Sequence, residues 1–108
     1  MDKIKGVITG DVIDSSAIQI EYRDFLLKSI QKIAEELNVI EPLKIEFFRG
    51  DSFQMVINNP ENAMQIAILL RAGLKSHTPK GCEKPWDARL SLGVGTISNH
   101  ADNVVLSD

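Results

Sequence analysis

Apolar and polar positions divide the chain into six segments, each with the period of one element. Ile4 to Thr9 is a short apolar run closed by Gly10-Asp11, which predicts a buried strand meeting a turn. From Glu21 to Leu37, the residues Leu26, Leu27, Ile30, Ile33, Ala34 and Leu37 recur at three- and four-residue steps. Lys28, Gln31, Lys32, Glu35 and Glu36 fall on the other side, so the segment predicts an amphipathic helix that Asn38 and Pro42 end. Leu43–Phe48 and Ser52–Ile57 read as strands around Arg49-Gly50-Asp51, with Phe53, Met55 and Ile57 on the apolar face. Gly at the centre of so short a connection suits a β-hairpin. Asn59 as cap and Pro60 at the first helical position predict a second helix. Its buried stripe is Ala63, Ile66, Ala67, Leu70 and Leu74, fading near His77. Thr78 to Trp86, with Pro79, Gly81 and Pro85, reads as a loop. In the last segment Ala88, Leu90, Leu92 and Val94 alternate with Arg89, Ser91, Gly93 and Gly95, predicting a fourth strand with the first set facing inward.

The order is β-α-β-β-α-β. It predicts an α+β fold of the ferredoxin-like split type: a sandwich with an antiparallel sheet and two helices on one face. A chain of 108 residues holds one modest core, so residues 1–108 are expected to form a single domain. The ending, Asn103-Val104-Val105-Leu106-Ser107, carries no finished terminal element and reads as a fragment of something longer.

Composition narrows the function classes. Twelve Lys and Arg against 15 Asp and Glu leave a net charge of −3, with no basic stripe to neutralise phosphates, so broad nucleic-acid binding is not expected. That balance leaves room for a ligand held through a metal. The single cysteine, Cys82, cannot form an internal disulfide and fits a reducing compartment. No apolar run approaches the ~20 residues of a membrane span, and the start leads directly into a strand rather than a leader. The expectation is a cytoplasmic protein without a membrane partner.

Two acidic residues carry the candidate chemistry. Asp11 lies in Thr9-Gly10-Asp11-Val12-Ile13-Asp14-Ser15-Ser16, where a strand leaves the sheet. Such an exit offers free backbone N–H groups to phosphate oxygens, and a carboxylate there can hold Mg²⁺ between protein and phosphate. The plain alternative is a turn at Asp14-Ser15-Ser16 capped by Asp11. Asp51 stands at the tip of the predicted hairpin, and the fold brings that tip to the end of the first strand. Two carboxylates meeting there repel each other unless a cation lies between them, and a hard divalent ion suits their oxygen ligands. The plain alternative for Asp51 is a turn residue.

These motifs resemble a family. Gly10-Asp11-Val12-Ile13-Asp14-Ser15, with Arg49-Gly50-Asp51-Ser52-Phe53 placed so that Asp51 follows Asp11 by 40 residues, resembles the class III nucleotide cyclase domain. The chain is most similar to the related bacterial SatD-like family, with its Ile-Thr-Gly-Asp start, Arg-Gly-Asp-Ser-Phe-Gln, and Arg-Leu-Ser-Leu-Gly-Val-Gly strand, over residues 4 to 108. The resemblance implies a cyclase-like palm in which Asp11 and Asp51 bind Mg²⁺ or Mn²⁺. Val12, Ile13, Asp14 and Ser15 then face metal and nucleoside triphosphate, Arg49 and Arg89 are candidate phosphate contacts, and a homodimer is implied. In cyclases such ions activate a ribose hydroxyl and steady the leaving pyrophosphate. Phe47 departs from the pattern: it stands where cyclases often carry Lys or Glu to read the base. The cyclase Asn and Arg that stabilise the transition state lie on a helix after the fourth strand, and this sequence is expected to end before or at such a helix. Binding with or without turnover therefore stays open. The alternative is a non-enzymatic self-association or regulatory module of a larger, transcription-linked protein.

Other motifs carry less. Gly93-Val94-Gly95 lacks the third Gly and the following helix of a dinucleotide fingerprint. His77, His100 and Cys82 do not have zinc-ligand spacing. Arg49-Gly50-Asp51 matches an adhesion tripeptide without any sign of secretion, and Trp86 beside Pro85 reads as a loop-packing aromatic.

Overall fold

The computed structural model describes residues 3–48, 51–82 and 84–97. The elements are β1 (Lys3–Val12), α1 (Ile20–Ile40), β2 (Leu43–Phe48), β3 (Ser52–Ile57), α2 (Ala63–Ser76) and β4 (Ala88–Ile97), with short 3₁₀ turns at Ser15–Ala17 and Pro60–Asn62. The strands form one antiparallel sheet in the order β2-β3-β1-β4. Both helices pack on one face of it, which is the predicted α+β arrangement.

The two helical stripes make half of the core. Leu26, Ile30, Ile33, Ala34 and Leu37 of α1 and Ala63, Ile66, Ala67, Leu70 and Leu74 of α2 are buried against Ile8, Val12, Phe53, Met55 and Ile57 of the sheet. A buried side chain of this size contributes roughly 1.5–3 kcal/mol, so these stripes outweigh any local preference in fixing the layers.

Four details differ from the sequence reading. β1 does not stop at Thr9: its ladders continue through Asp11, paired with Ser52 and Arg89, to Val12, paired with Ala88. Asp11 is thus a strand residue rather than part of a turn, because neighbours on both sides hold it extended. α1 runs through Asn38 to Ile40. It stops where Pro42 forces Glu41 into an extended conformation (φ −144°, ψ 117°), while the Asn38 side chain accepts the Leu43 N–H at 2.9 Å. Pro60 opens a 3₁₀ turn and not α2 itself, and the Asn59 side chain caps nothing. Its amide instead donates to Glu41 at 2.9 Å. Finally, β4 does not bury its whole inner face: Ala88 is covered, but Leu92 and Val94 are exposed.

Glu41 is the one buried charged residue among those described. Its Oε1 accepts from Asn59 at 2.9 Å and Asn62 at 2.6 Å, tying the β3–α2 turn to the end of α1. Burial alone would raise its pKa; the amides of Asn62 and Asn59, with help from the backbone of Asn59 and Asn58, outweigh that and lower it.

Candidate functional site

The end of β1 and the hairpin tip meet, as expected from the strand order. The Val12 N–H donates to the Asp51 carbonyl at 3.0 Å, and the Ser15 hydroxyl donates to Asp51 Oδ2 at 2.6 Å. The Ser52 hydroxyl, next along β3, donates to Asp11 Oδ1 at 3.3 Å. Asp11 and Asp51 therefore sit on directly adjoining segments, each carboxylate with one oxygen held by a serine. Among the described residues, Asp11 Oδ2 and Asp51 Oδ1 accept no hydrogen bond. Asp11 lies on the open face of the sheet, on the side away from the helices, and is exposed.

Local sequence explains this construction. Asp14 adopts the left-handed conformation (φ 54°, ψ 36°), which Asp tolerates better than most residues, and the chain then enters the Ser15–Ala17 turn. A left-handed residue followed by a right-handed turn aims successive N–H groups to one side, a shape suited to anions. Among the described residues, the N–H groups of Asp14 and Ser15 find no acceptor. Those of Val12 and Ile13 do: Val12 donates to Asp51 and Ile13 to the Asp87 carbonyl at 2.9 Å. The free N–H groups expected at the strand exit are therefore those of Asp14 and Ser15. Val12 and Ile13 are spent on holding the exit against the hairpin and the start of β4.

Arg89 is exposed and stands directly across the ladder from Asp11 on the open face. No ion pair joins the two among the described residues. Arg49 lies outside the described residues, as do the final residues 98–108. Among those described, no group of three or more His, Cys, Asp or Glu forms a metal cluster.

Sequence reasoning missed two features. The first is Asp87, whose carboxylate takes a two-pronged bond from Arg71 of α2 at 2.8 and 2.7 Å and also accepts the Ala88 N–H at 2.8 Å. The Arg71 bond, aided by the Ala88 N–H and opposed by partial burial, holds the Asp87 carboxyl at about 2. With its carbonyl on Ile13, this residue fastens the β1 exit to α2. Only an Arg and an Asp 16 residues apart hinted at it, and no spacing rule links such a pair.

The second is a cleft of about 810 Å³ between the β1 exit and the loop before β4. Ile13, Asp14, Tyr22, Cys82, Lys84 and Trp86 line it. Trp86 packs its ring at 5.7 Å from Phe25 and is buried, the loop-packing role expected for it. Ile13 and Asp14 link the cleft to the β1 exit, while Asp11 and Asp51 do not line it.

Sheet order and helix placement define an α+β palm, a four-stranded antiparallel sheet with both helices on one face. The chain is similar in fold to the crystal structure of the guanylyl cyclase Cya2, with a TM-score of 0.60, 16% identity, and coverage of 90% of this chain and 56% of that one. It is also similar to the GGDEF domain of the PA2567 protein from Pseudomonas aeruginosa, with a TM-score of 0.55, 17% identity, and coverage of 92% and 66%. The chain thus spans less than two thirds of the length of either. At these identities the likeness shows the fold alone. No protein-family model matches the chain, and no curated protein matches it. Among the described residues, no helix is long and apolar enough to cross a membrane.

Proposed function

We propose that this domain binds a nucleoside triphosphate through a divalent cation, Mg²⁺ or Mn²⁺, held by Asp11 and Asp51. One observation carries the reading: two carboxylates 40 residues apart lie on adjoining segments, each with an oxygen free of partners among the described residues. Hard oxygen donors of this kind suit a divalent ion that keeps water and phosphate as its other ligands. When bound, the ion would neutralise phosphate charge. The chain's own groups do the rest. The N–H groups of Asp14 and Ser15 receive phosphate oxygens, Arg89 adds a positive charge from the open face, and the cleft lined by Tyr22 and Trp86 takes the nucleoside. The likeness in fold to a guanylyl cyclase and a GGDEF domain supports a nucleotide as the ligand. Within this chain the reading is one of binding and includes no turnover.

The test is thermal unfolding with ATP or GTP plus Mg²⁺ or Mn²⁺. A ligand at about 100 times its Kd adds about 2.7 kcal/mol, a rise of roughly 10–15 °C in a domain of this size. Asp11→Ala and Asp51→Ala should each abolish the rise. A wild-type midpoint indifferent to every metal–nucleotide pair, or a rise that survives both substitutions, refutes the reading.

A further inference from the structure

Among the described residues, Asp14, Lys84 and Asp87 are the charged side chains that line the cleft beside the β1 exit. They are not equivalent. Asp87 is engaged by the two-pronged bond from Arg71. Asp14 is the left-handed residue of the exit, and its own N–H is one of the two without an acceptor. Lys84 is exposed and forms no ion pair among the described residues. It is the one cation on the cleft wall, and nothing else in the described chain uses it.

The loop that carries Lys84 is fixed at both sides. The Trp86 N–H donates to the Thr78 hydroxyl at 2.8 Å, and that hydroxyl donates to the Leu74 carbonyl at 3.2 Å, so the neck of the loop closes on the end of α2. Trp86 is buried against Phe25, and the Tyr22 hydroxyl of α1 stands where a Cβ on Gly81 would meet it at 3.2 Å. Pro85 restricts Lys84, the residue before it, to extended backbone conformations. Lys84 is therefore tethered at the cleft by its immediate neighbours. Lys80, on the same loop, is also exposed but does not line the cleft.

We propose, on the metal–nucleotide reading above, that Lys84 binds the phosphate chain of the nucleotide and makes the cleft favour polyphosphates over monophosphates. Asp11, Asp14 and Asp51 set three carboxylates about a ligand that is itself strongly anionic, and a single divalent ion leaves negative charge uncancelled. Arg89 contributes from the open face of the sheet; Lys84 contributes from the cleft. An ammonium on a flexible stem is a point charge with three donors, which suits a phosphate chain able to present oxygens in several directions. Phosphate oxygens that accept from the Asp14 and Ser15 N–H groups retain lone pairs for it.

Titration calorimetry with Mn²⁺ and the tri- and monophosphates of adenosine and guanosine tests the proposal. Lys84→Gln should weaken triphosphate binding about 10-fold and monophosphate binding far less, and Lys84→Arg should keep most of the affinity. Triphosphate affinity should also depend less on salt in Lys84→Gln, because one screened charge contact is gone. Lys80→Gln should bind as the wild type does. Cys82, the single thiol of the chain, lines the same cleft, so its alkylation by N-ethylmaleimide reads occupancy directly. Triphosphate should protect Cys82 in the wild type, and Lys84→Gln should need about 10-fold more of it for the same protection. Each variant changes an exposed side chain, and circular dichroism should stay as in the wild type. Triphosphate binding that requires Asp11 and Asp51 but ignores Lys84→Gln, or that leaves Cys82 unprotected, overturns this proposal alone. So does an equal loss from Lys80→Gln, which would assign the effect to overall charge. A wild type that binds no metal–nucleotide pair overturns the metal–nucleotide reading, and Lys84's role with it.

Discussion

The ring of Phe53 fills the space that a side chain on Gly10 would need. The two residues are direct partners in the β1–β3 ladder, and a Cβ on Gly10 would fall far inside van der Waals contact with three atoms of the ring. Phe53 is completely buried. Each residue stands beside one of the two carboxylates: Gly10 precedes Asp11, and Phe53 follows Asp51 by two positions. The core contact therefore lies directly beside the strand ends that carry the site.

Gly10→Ala should destabilise the domain by about 1–3 kcal/mol, the usual range for overpacking a close-fitting core. Trimming the ring with Phe53→Leu should cost stability alone but recover part of the loss when combined with Gly10→Ala. Denaturant unfolding of the two single variants and the double variant checks this, and strict additivity would count against the contact.

Ser15→Ala removes the hydroxyl that holds Asp51 Oδ2 at 2.6 Å. The stability cost should be about 0.5–1.5 kcal/mol, since the bond is only partly buried. The larger effect should fall on metal–nucleotide affinity, because the carboxylate loses its orientation. Titration calorimetry with Mn²⁺ and a nucleoside triphosphate should show weaker binding than wild type with the stoichiometry retained.

The Arg71–Asp87 pair should make stability fall in acid. The Asp87 carboxyl sits at about 2 against an ordinary 3.8, so the folded state favours its ionised form. Its contribution is complete above about pH 4 and disappears as pH falls through about 2. Arg71 is half exposed, so solvent screening keeps the contribution small. Arg71→Met should remove most of it at pH 7, and the gap between variant and wild type should narrow toward pH 2. A gap independent of pH would assign the loss to packing instead.

Glu41→Ala leaves the buried-side amides of Asn59 and Asn62 without their shared acceptor and should cost about 2–3 kcal/mol. Glu41→Gln keeps an acceptor oxygen and should cost less. Because the carboxyl is held below its ordinary 4.5, its contribution is present above that pH and lost as pH falls through the lowered value. Thermal unfolding from pH 7 to pH 3 should show the wild type approaching Glu41→Gln in acid.

The parts of the fold legible in the sequence were those governed by period. The α2 stripe from Ala63 to Leu74 and the buried set Phe53, Met55 and Ile57 lie where alternation placed them, because a buried face of a helix or strand repeats at fixed steps. Gly10 and Asp51 were legible as markers of an exit and a turn. The reason for Gly10 was not, since its partner Phe53 lies 43 residues away. The ends of elements were less legible. α1 passed through Asn38, and β1 through Thr9, because ladder partners and Pro42 decided where each stopped.

Local order along the chain thus determined the strand and helix sequence, the apolar faces and the two acidic motifs, since each depends on neighbours within a few residues. Only the tertiary structure decided that Ser15 holds Asp51, that Ile13 is tied to Asp87 and Asp87 to Arg71, that Glu41 is buried among asparagines, and that the Leu92–Val94 edge stays bare. Those outcomes depend on which distant groups the sheet order and helix packing bring within bonding distance, and no periodicity encodes them.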